Sequence, residues 1–423
     1  MSNYQLGYEY ARQLDSQDQL SEFRQQFYIP KDKEGNDLIY MTGNSLGLQP
    51  KITKDYIQQE LDDWATLGVE GHTEGKHPWL HYHEFLTETM AAIVGAKPLE
   101  VVVMNSLTAN LHFMMVSFYK PTRTRYKILI EADAFPSDKY AVESQLRHHG
   151  YDDKEGLILW KSRDGEELVN YEDLEDILAD HGNEIALVMI GGVNYYTGQF
   201  FDLKRITELG HDYGCTVGFD CAHGAGNVPL NLHNSGADFA VWCTYKYLNS
   251  GPGSLSGVFV HERHAERKDL NRFTGWWSHN KETRFKMRDE FDQLPGAEGW
   301  QLSNPPILSM AAIRASLDIF KTAGFDKLVL KSKTLTGYFE FLLNALKNTN
   351  IKIITPSNPD ERGCQLSIQV QSADKSLHNL LTQAGIVTDW REPDVIRAAP
   401  VPLYNSYTDV YNFVERLKDI LKS

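Results

Sequence analysis

The chain has 423 residues, 42% hydrophobic and 23% charged, with a formal net charge of −15. That length and composition fit an ordinary soluble protein of two or three domains, and the acidic balance argues against nucleic acid and anionic membrane surfaces, which need clustered Lys and Arg. No uninterrupted apolar run approaches the roughly 20 residues of a membrane span, and the start MSNYQLGYEYARQL is neither basic nor apolar, so a cytoplasmic protein is expected.

Up to about Gly43 the chain is polar and helix-like; from Lys51 to Leu67 apolar positions (Ile52, Tyr56, Ile57, Leu61, Trp64) recur at helical spacing and predict an amphipathic helix. From Val101 to about Val260 short apolar runs alternate with helical stretches. The runs VVVM, YKILIE, LILW, IALVMIG, TVGFD and DFAVWC read as strands, and the segments between them as helices. This alternation predicts an α/β fold with a mostly parallel, wound sheet. After Pro305 and Pro306 come two longer helical stretches, strands IKIIT and CQLSIQV, and a closing helix. These predict a large domain over residues 46–306 and a smaller α+β domain over 307–423, joined by the segment 1–45.

The most informative pair is Lys246, in WCTYKYLNSGPGSLSG, and Asp220, in VGFDCAHGAGN. A lysine among Trp242, Tyr245 and Tyr247 is partly desolvated, which favours the neutral amine that a Schiff base requires. Asp220 closes an apolar strand, where open α/β sheets bind ligands, and its carboxylate could keep a pyridine nitrogen protonated. Together they point to pyridoxal 5′-phosphate.

Other motifs stay open to more than one reading. In VVVMNSLTANLHFMM a strand turns into a helix, so Leu107 and Thr108 could meet a phosphate, although Ser106 or Thr108 could equally be a helix N-cap. Phe135, followed by Pro136, Ser137 and Asp138, would put an aromatic ring at the end of a central strand, or else belong to the core. His223 could contact a cofactor or satisfy local backbone, and Tyr245 could donate to phosphate or move protons. His77, His81, His83 and Glu84 crowd KHPWLHYHEF but lack a metalloprotease pattern, so no metal is expected. Cys215, Cys221, Cys243 and Cys364 are dispersed, which argues against disulfides and zinc.

The segments GNSLGLQP, NSLTANLH, AFPSDKYA, NYYTGQFFDL, VGFDCAHGAGN, TYKYLNSGPG, GWWSH, ETRFKM, LSNPPIL and RAAPVPLYNS, between about Tyr40 and Asn405, resemble the kynureninase family. The resemblance implies the pyridoxal phosphate-dependent transferase fold of type I, that of aspartate aminotransferase. It implies hydrolytic cleavage of kynurenine or 3-hydroxykynurenine to an anthranilate and L-alanine, serving tryptophan breakdown and NAD biosynthesis. By resemblance Lys246 holds the cofactor covalently, Asp220 pairs with the pyridinium with His223 in support, and Phe135 stacks on the ring. Leu107, Thr108 and Tyr245 bind phosphate, Tyr245 also gives a proton, and Ser137 or Asp138 contacts the cofactor. Trp276 and Asn304 complete the site from the neighbouring subunit of a homodimer. Arg397 clamps the α-carboxylate of the amino-acid substrate, and Ser45 and His72 approach its aromatic end. His72 and Asn304, with Ser303, favour 3-hydroxykynurenine. One departure stands out: Gly191 occupies a place where some relatives have serine, so a hydroxyl contact is expected to be missing.

The competing readings are a cysteine desulfurase or aminotransferase of the same fold and a non-catalytic, metabolite-binding regulator. The first would need a mobile nucleophilic cysteine, for which Cys364 is the candidate. The second commonly carries a basic DNA-binding module, which is not evident here.

Overall fold

A computed structural model describes residues 4–422. Seven strands form the large sheet: β1 (Val101–Met104), β2 (Lys127–Glu131), β3 (Leu157–Trp160), β4 (Ile185–Gly191), β5 (Thr216–Asp220), β6 (Phe239–Cys243) and β7 (Ser256–Val260). Their order is β1-β7-β6-β5-β4-β2-β3, parallel except for β7, which runs antiparallel to both neighbours. β1, β6 and β7 are buried at every position, as expected of strands covered on both faces. β2 is next to the sheet edge rather than central, so Phe135 does not follow a central strand.

β7 was hidden in the sequence by the glycine-rich run before it. It fits because Gly257 has no side chain: a Cβ there would lie 2.1 Å from the Trp242 indole across the strand pair. Gly257→Ala should therefore cost about 1–3 kcal/mol by overpacking. Thermal unfolding checks this, and an unchanged midpoint would mean that Trp242 moves aside freely.

Helix α1 (Tyr8–Gln17) opens the described chain, and α2 (Thr53–Leu67) matches the predicted amphipathic helix. It is followed by α3 (Glu84–Val94), α4 (Leu107–Phe118) and α5 (Pro136–His148). In the C-terminal part lie α6 (Ile307–Ala323), α7 (Phe325–Ala345) and α8 (Tyr407–Ile420). α6 packs on α2 and α3, and its Met310, Ile313 and Leu317 join the core of the large sheet. A separate core unites Ala11, Ile39 and Met41 with Leu335, Phe339, Leu366 and Phe413. The second sheet is antiparallel, in the order β10-β11-β9-β8, from β8 (Ile351–Ile353), β9 (Leu366–Val370), β10 (Asp389–Arg391) and β11 (Val395–Ala398). Among the described residues no helix is long and apolar enough to cross a membrane.

Candidate active site

β2, β4 and β5 end side by side in Glu131, Gly191 and Asp220, and a cavity of about 410 Å³ opens over these carboxyl ends. Lys246 enters it from the loop after β6. That loop is braced from far upstream: Gly47 N–H donates to the Tyr245 carbonyl at 2.8 Å, and a Cβ on Gly47 would lie 2.3 Å from the Lys246 carbonyl oxygen. Lys246 Nζ lies 2.9 Å from His223 Nε2. Trp242, expected beside the amine, instead packs its indole against Gly257. His223 is buried, and burial, reinforced by Lys246, pushes its imidazole well below the ordinary range. It is therefore neutral and accepts from Lys246 Nζ, while its Nδ1 has no partner.

Asp220 is buried, and its Oδ1 accepts from Ala222 N–H at 2.7 Å. Burial raises its carboxyl, opposed by that N–H and by Lys246. Asp138 hydrogen-bonds to Asp220 and is pushed well above the usual carboxylate range by burial and by Asp220. Asp138 thus carries the proton of the pair, and Asp220 carries the charge.

Glu131 is a third carboxyl on this floor, which sequence reasoning missed. Both its oxygens accept from Gly191 N–H at 3.1 Å, and a Cβ on Gly191 would lie 2.7 Å from Oε1. The space that a serine at 191 would need is filled by Glu131. Burial, with Asp220 adding to it, pushes Glu131 from 4.5 up to about 7. The folded state then binds this proton more tightly than the unfolded state, so stability of the cofactor-free protein falls as pH rises from about 4.5 to about 7. Glu131→Gln should remove a pH-dependent loss on the order of 3 kcal/mol. Urea unfolding at pH 5 and pH 8 checks it; the same pH response in both proteins would assign the titration elsewhere.

The opposite wall is suited to an anion. Leu107 begins α4, whose N-cap Ser106 makes no side-chain capping bond, so the first-turn N–H groups and the helix dipole face the cavity. Thr108 Oγ1 does not cap the helix but lies 3.0 Å from Ser137 Oγ. Ser256, also lining the cavity, keeps a buried hydroxyl without a partner. Tyr245 lines it too, its phenol pushed above its ordinary range by burial and so retained as a donor. Phe135, the residue before α5, sets its ring edge-on to Tyr195 with centroids 5.2 Å apart and lies 6.0 Å from Lys246 Nζ. The unfilled donors, the flat aromatic and the amine opposite a buried carboxylate form a set that pyridoxal phosphate fits.

At the mouth, Ser45 is exposed and Arg397 is buried on β11. Arg397 Nη1 donates to the Tyr195 carbonyl at 2.5 Å, Nη2 pairs with Asp389, and burial lowers the guanidinium to about 10. Three expected residues do not line this cavity within one chain. His72 Nδ1 lies 2.9 Å from the Val69 carbonyl, Trp276 donates from Nε1 to the Arg284 carbonyl at 3.3 Å, and Asn304 is exposed. In the histidine-rich segment, Lys281 Nζ bridges Glu84 at 2.8 Å and Glu298 at 2.6 Å.

Residues 328–417 match the family described as Kynureninase C-terminal domain. Over 409 residues, 97% of this chain and 96% of the other, the sequence is 59% identical to a kynureninase of Myxococcus xanthus. The chain belongs to the kynureninase family. Kynureninases of Koribacter versatilis and Nematostella vectensis are 56% and 47% identical, covering 96% and 98% of this chain and 96% and 94% of their own. The kynureninase fold found here is also similar to that of solved structures at low identity. A cysteine desulfurase from Thermococcus onnurineus superposes with a TM-score of 0.75 at 16% identity, covering 95% of this chain and 98% of that one. The cystine C–S lyase C-DES, in complex with cysteine persulfide, gives 0.76 at 16% identity, covering 90% and 97%. The desulfurase alternative meets an obstacle in this chain: Cys364 and the other three thiols are buried, and burial pushes Cys364 up to about 12.

Proposed function

We propose that the protein uses pyridoxal 5′-phosphate to hydrolyse the Cβ–Cγ bond of L-kynurenine and 3-hydroxy-L-kynurenine, releasing anthranilate or 3-hydroxyanthranilate and L-alanine, with the 3-hydroxy substrate preferred. The observation that carries this reading is one cavity with the Lys246 amine, the buried Asp220 carboxylate, the uncapped start of α4 and a buried arginine. Pyridoxal phosphate, when bound, supplies an electron sink at the substrate's α-carbon. Leu107 and Thr108 would hold its phosphate with Tyr245, Asp220 would pair with its ring nitrogen, and Phe135 would lie against its ring. Lys246 takes the α-proton, and the 2.9 Å contact to neutral His223 fixes where the amine returns. Water adds to the side-chain ketone, the bond between Cβ and the hydrated carbonyl carbon breaks with its electron pair left on Cβ, and the Tyr245 phenol gives its proton to Cβ while the acyl part leaves as the carboxylic acid. Arg397 orients the α-carboxylate.

The enzyme works as a cytoplasmic homodimer with shared sites. The segment around Trp276 supports this, for Phe273, Trp276, Phe285, Met287 and Phe291 are all exposed in the single chain. Trp276 and Asn304 then reach the partner's cofactor, and His72, Asn304 and Ser303 the substrate's ring hydroxyl, which a hydrogen-bonding site selects strongly.

The test is fluorescence of the released anthranilate when holoenzyme meets kynurenine and 3-hydroxykynurenine in parallel. Product from either supports the hydrolase, and higher kcat/KM on 3-hydroxykynurenine supports the preference. The reverse order would remove the preference, and sulfide from cysteine without anthranilate would move the reaction to the desulfurase class.

A further inference from the structure

Arg391 lines the same cavity as Arg397, and one carboxylate holds both. Asp389 Oδ2 accepts from Arg391 Nη2 at 3.1 Å and also pairs with Arg397 Nη2. Asp389 and Arg391 stand two residues apart on β10, on one face, and Asp389 is the cross-strand partner of Arg397 on β11. The Tyr195 ring lies beneath both guanidiniums, its centroid 5.8 Å from Arg391 Cζ and 5.7 Å from Arg397 Cζ. In each arginine the Nε–H is buried and has no partner. Two guanidiniums against one carboxylate leave a single positive charge, and two unsatisfied donors accompany it. Both are the complement of one further carboxylate.

We infer that Arg391 and Arg397 together bind the α-carboxylate of the amino-acid substrate, with Asp389 holding the two at fixed spacing. This rests on the reading of Arg397 as the carboxylate contact and extends it to a second arginine. Arg391, with its side chain 36% exposed, is the outer prong, and Arg397, at 2%, the inner. Asp389 prevents repulsion between the two cations before substrate arrives, and keeps a free amine without a carboxylate from gaining anything at this end of the site. Lysine at 391 could supply charge but not the planar pair of donors.

The experiment uses holoenzyme variants R391Q, R391K and R397Q. Binding of L-alanine and of L-alaninamide is followed by the change in the cofactor's visible absorbance, alongside KM and kcat for L-kynurenine. R391Q should weaken L-alanine about tenfold or more and leave L-alaninamide close to the parent's value, while KM for kynurenine rises more than kcat falls. R391K should recover part of the loss. If R391Q matches the parent while R397Q is impaired, the second prong is overturned and the single clamp stands. Parental behaviour in both would overturn the clamp itself. Equal weakening of alanine and alaninamide in R391Q would assign Arg391 a structural role and also overturn the inference.

Discussion

Lys246→Ala should lower turnover of kynurenine by more than about 10⁴-fold, because in the proposed function it removes both the group that holds the cofactor and the base that takes the α-proton. No other side chain takes over easily. His223 lies 2.9 Å from the lysine amine, but its imidazole is buried and its Nδ1 lacks a partner, so it is placed to accept from the lysine Nζ rather than to replace it. Lys246 is only partly buried and its loop is held by backbone bonds, so the variant should fold. Single-turnover assays with matched circular dichroism spectra measure the effect. Retention of even about one hundredth of parental turnover would rule out Lys246 as the essential base.

Asp220→Asn should lower kcat on the order of 10²–10³-fold while leaving the protein folded. The amide keeps the shape, and its oxygen can still accept from Ala222 N–H. What it loses is the negative charge that the proposed function sets against the cofactor's ring nitrogen. It also frees Asp138, whose carboxyl is pushed well up by burial and by Asp220. The pH profile of kcat separates this from a packing defect: a changed profile at unchanged melting temperature is the expected outcome. A large fall in thermal stability with an unchanged profile would point to a purely structural role for Asp220.

The parallel part of the fold was legible because its strands are mostly apolar and separated by helical segments of clear periodicity; VVVM, IALVMIG and TVGFD stand within their predicted bounds. β7 was not, since SGVFV follows GPGSL and owes its place to Gly257 under Trp242, a cross-strand relation that no local pattern carries. β10 and β11 escaped because Asp389, Arg391 and Arg397 interrupt short strands with charge. The same charges are why these strands matter at the site. Glu131 ends KILIE as Asp220 ends TVGFD, so the signal for a floor carboxyl was present; what concealed it was its partner, a backbone N–H at Gly191 sixty residues away. Lys246, Asp220, Leu107, Thr108, Phe135, Ser137, Asp138, His223, Tyr245, Arg397 and Ser45 do converge on one cavity. His72, Trp276 and Asn304 do not join them within one chain, and neither hydropathy nor spacing could have told them apart from the rest.

The bond from Gly47 to the Tyr245 carbonyl has a kinetic meaning for the newly made chain. The two residues are nearly two hundred positions apart, and closing so long a loop is slow and entropically costly compared with forming the helices and parallel strands between them. The large sheet can therefore mature while the lysine loop still lacks its brace, and catalytic competence should lag behind regain of secondary structure during refolding.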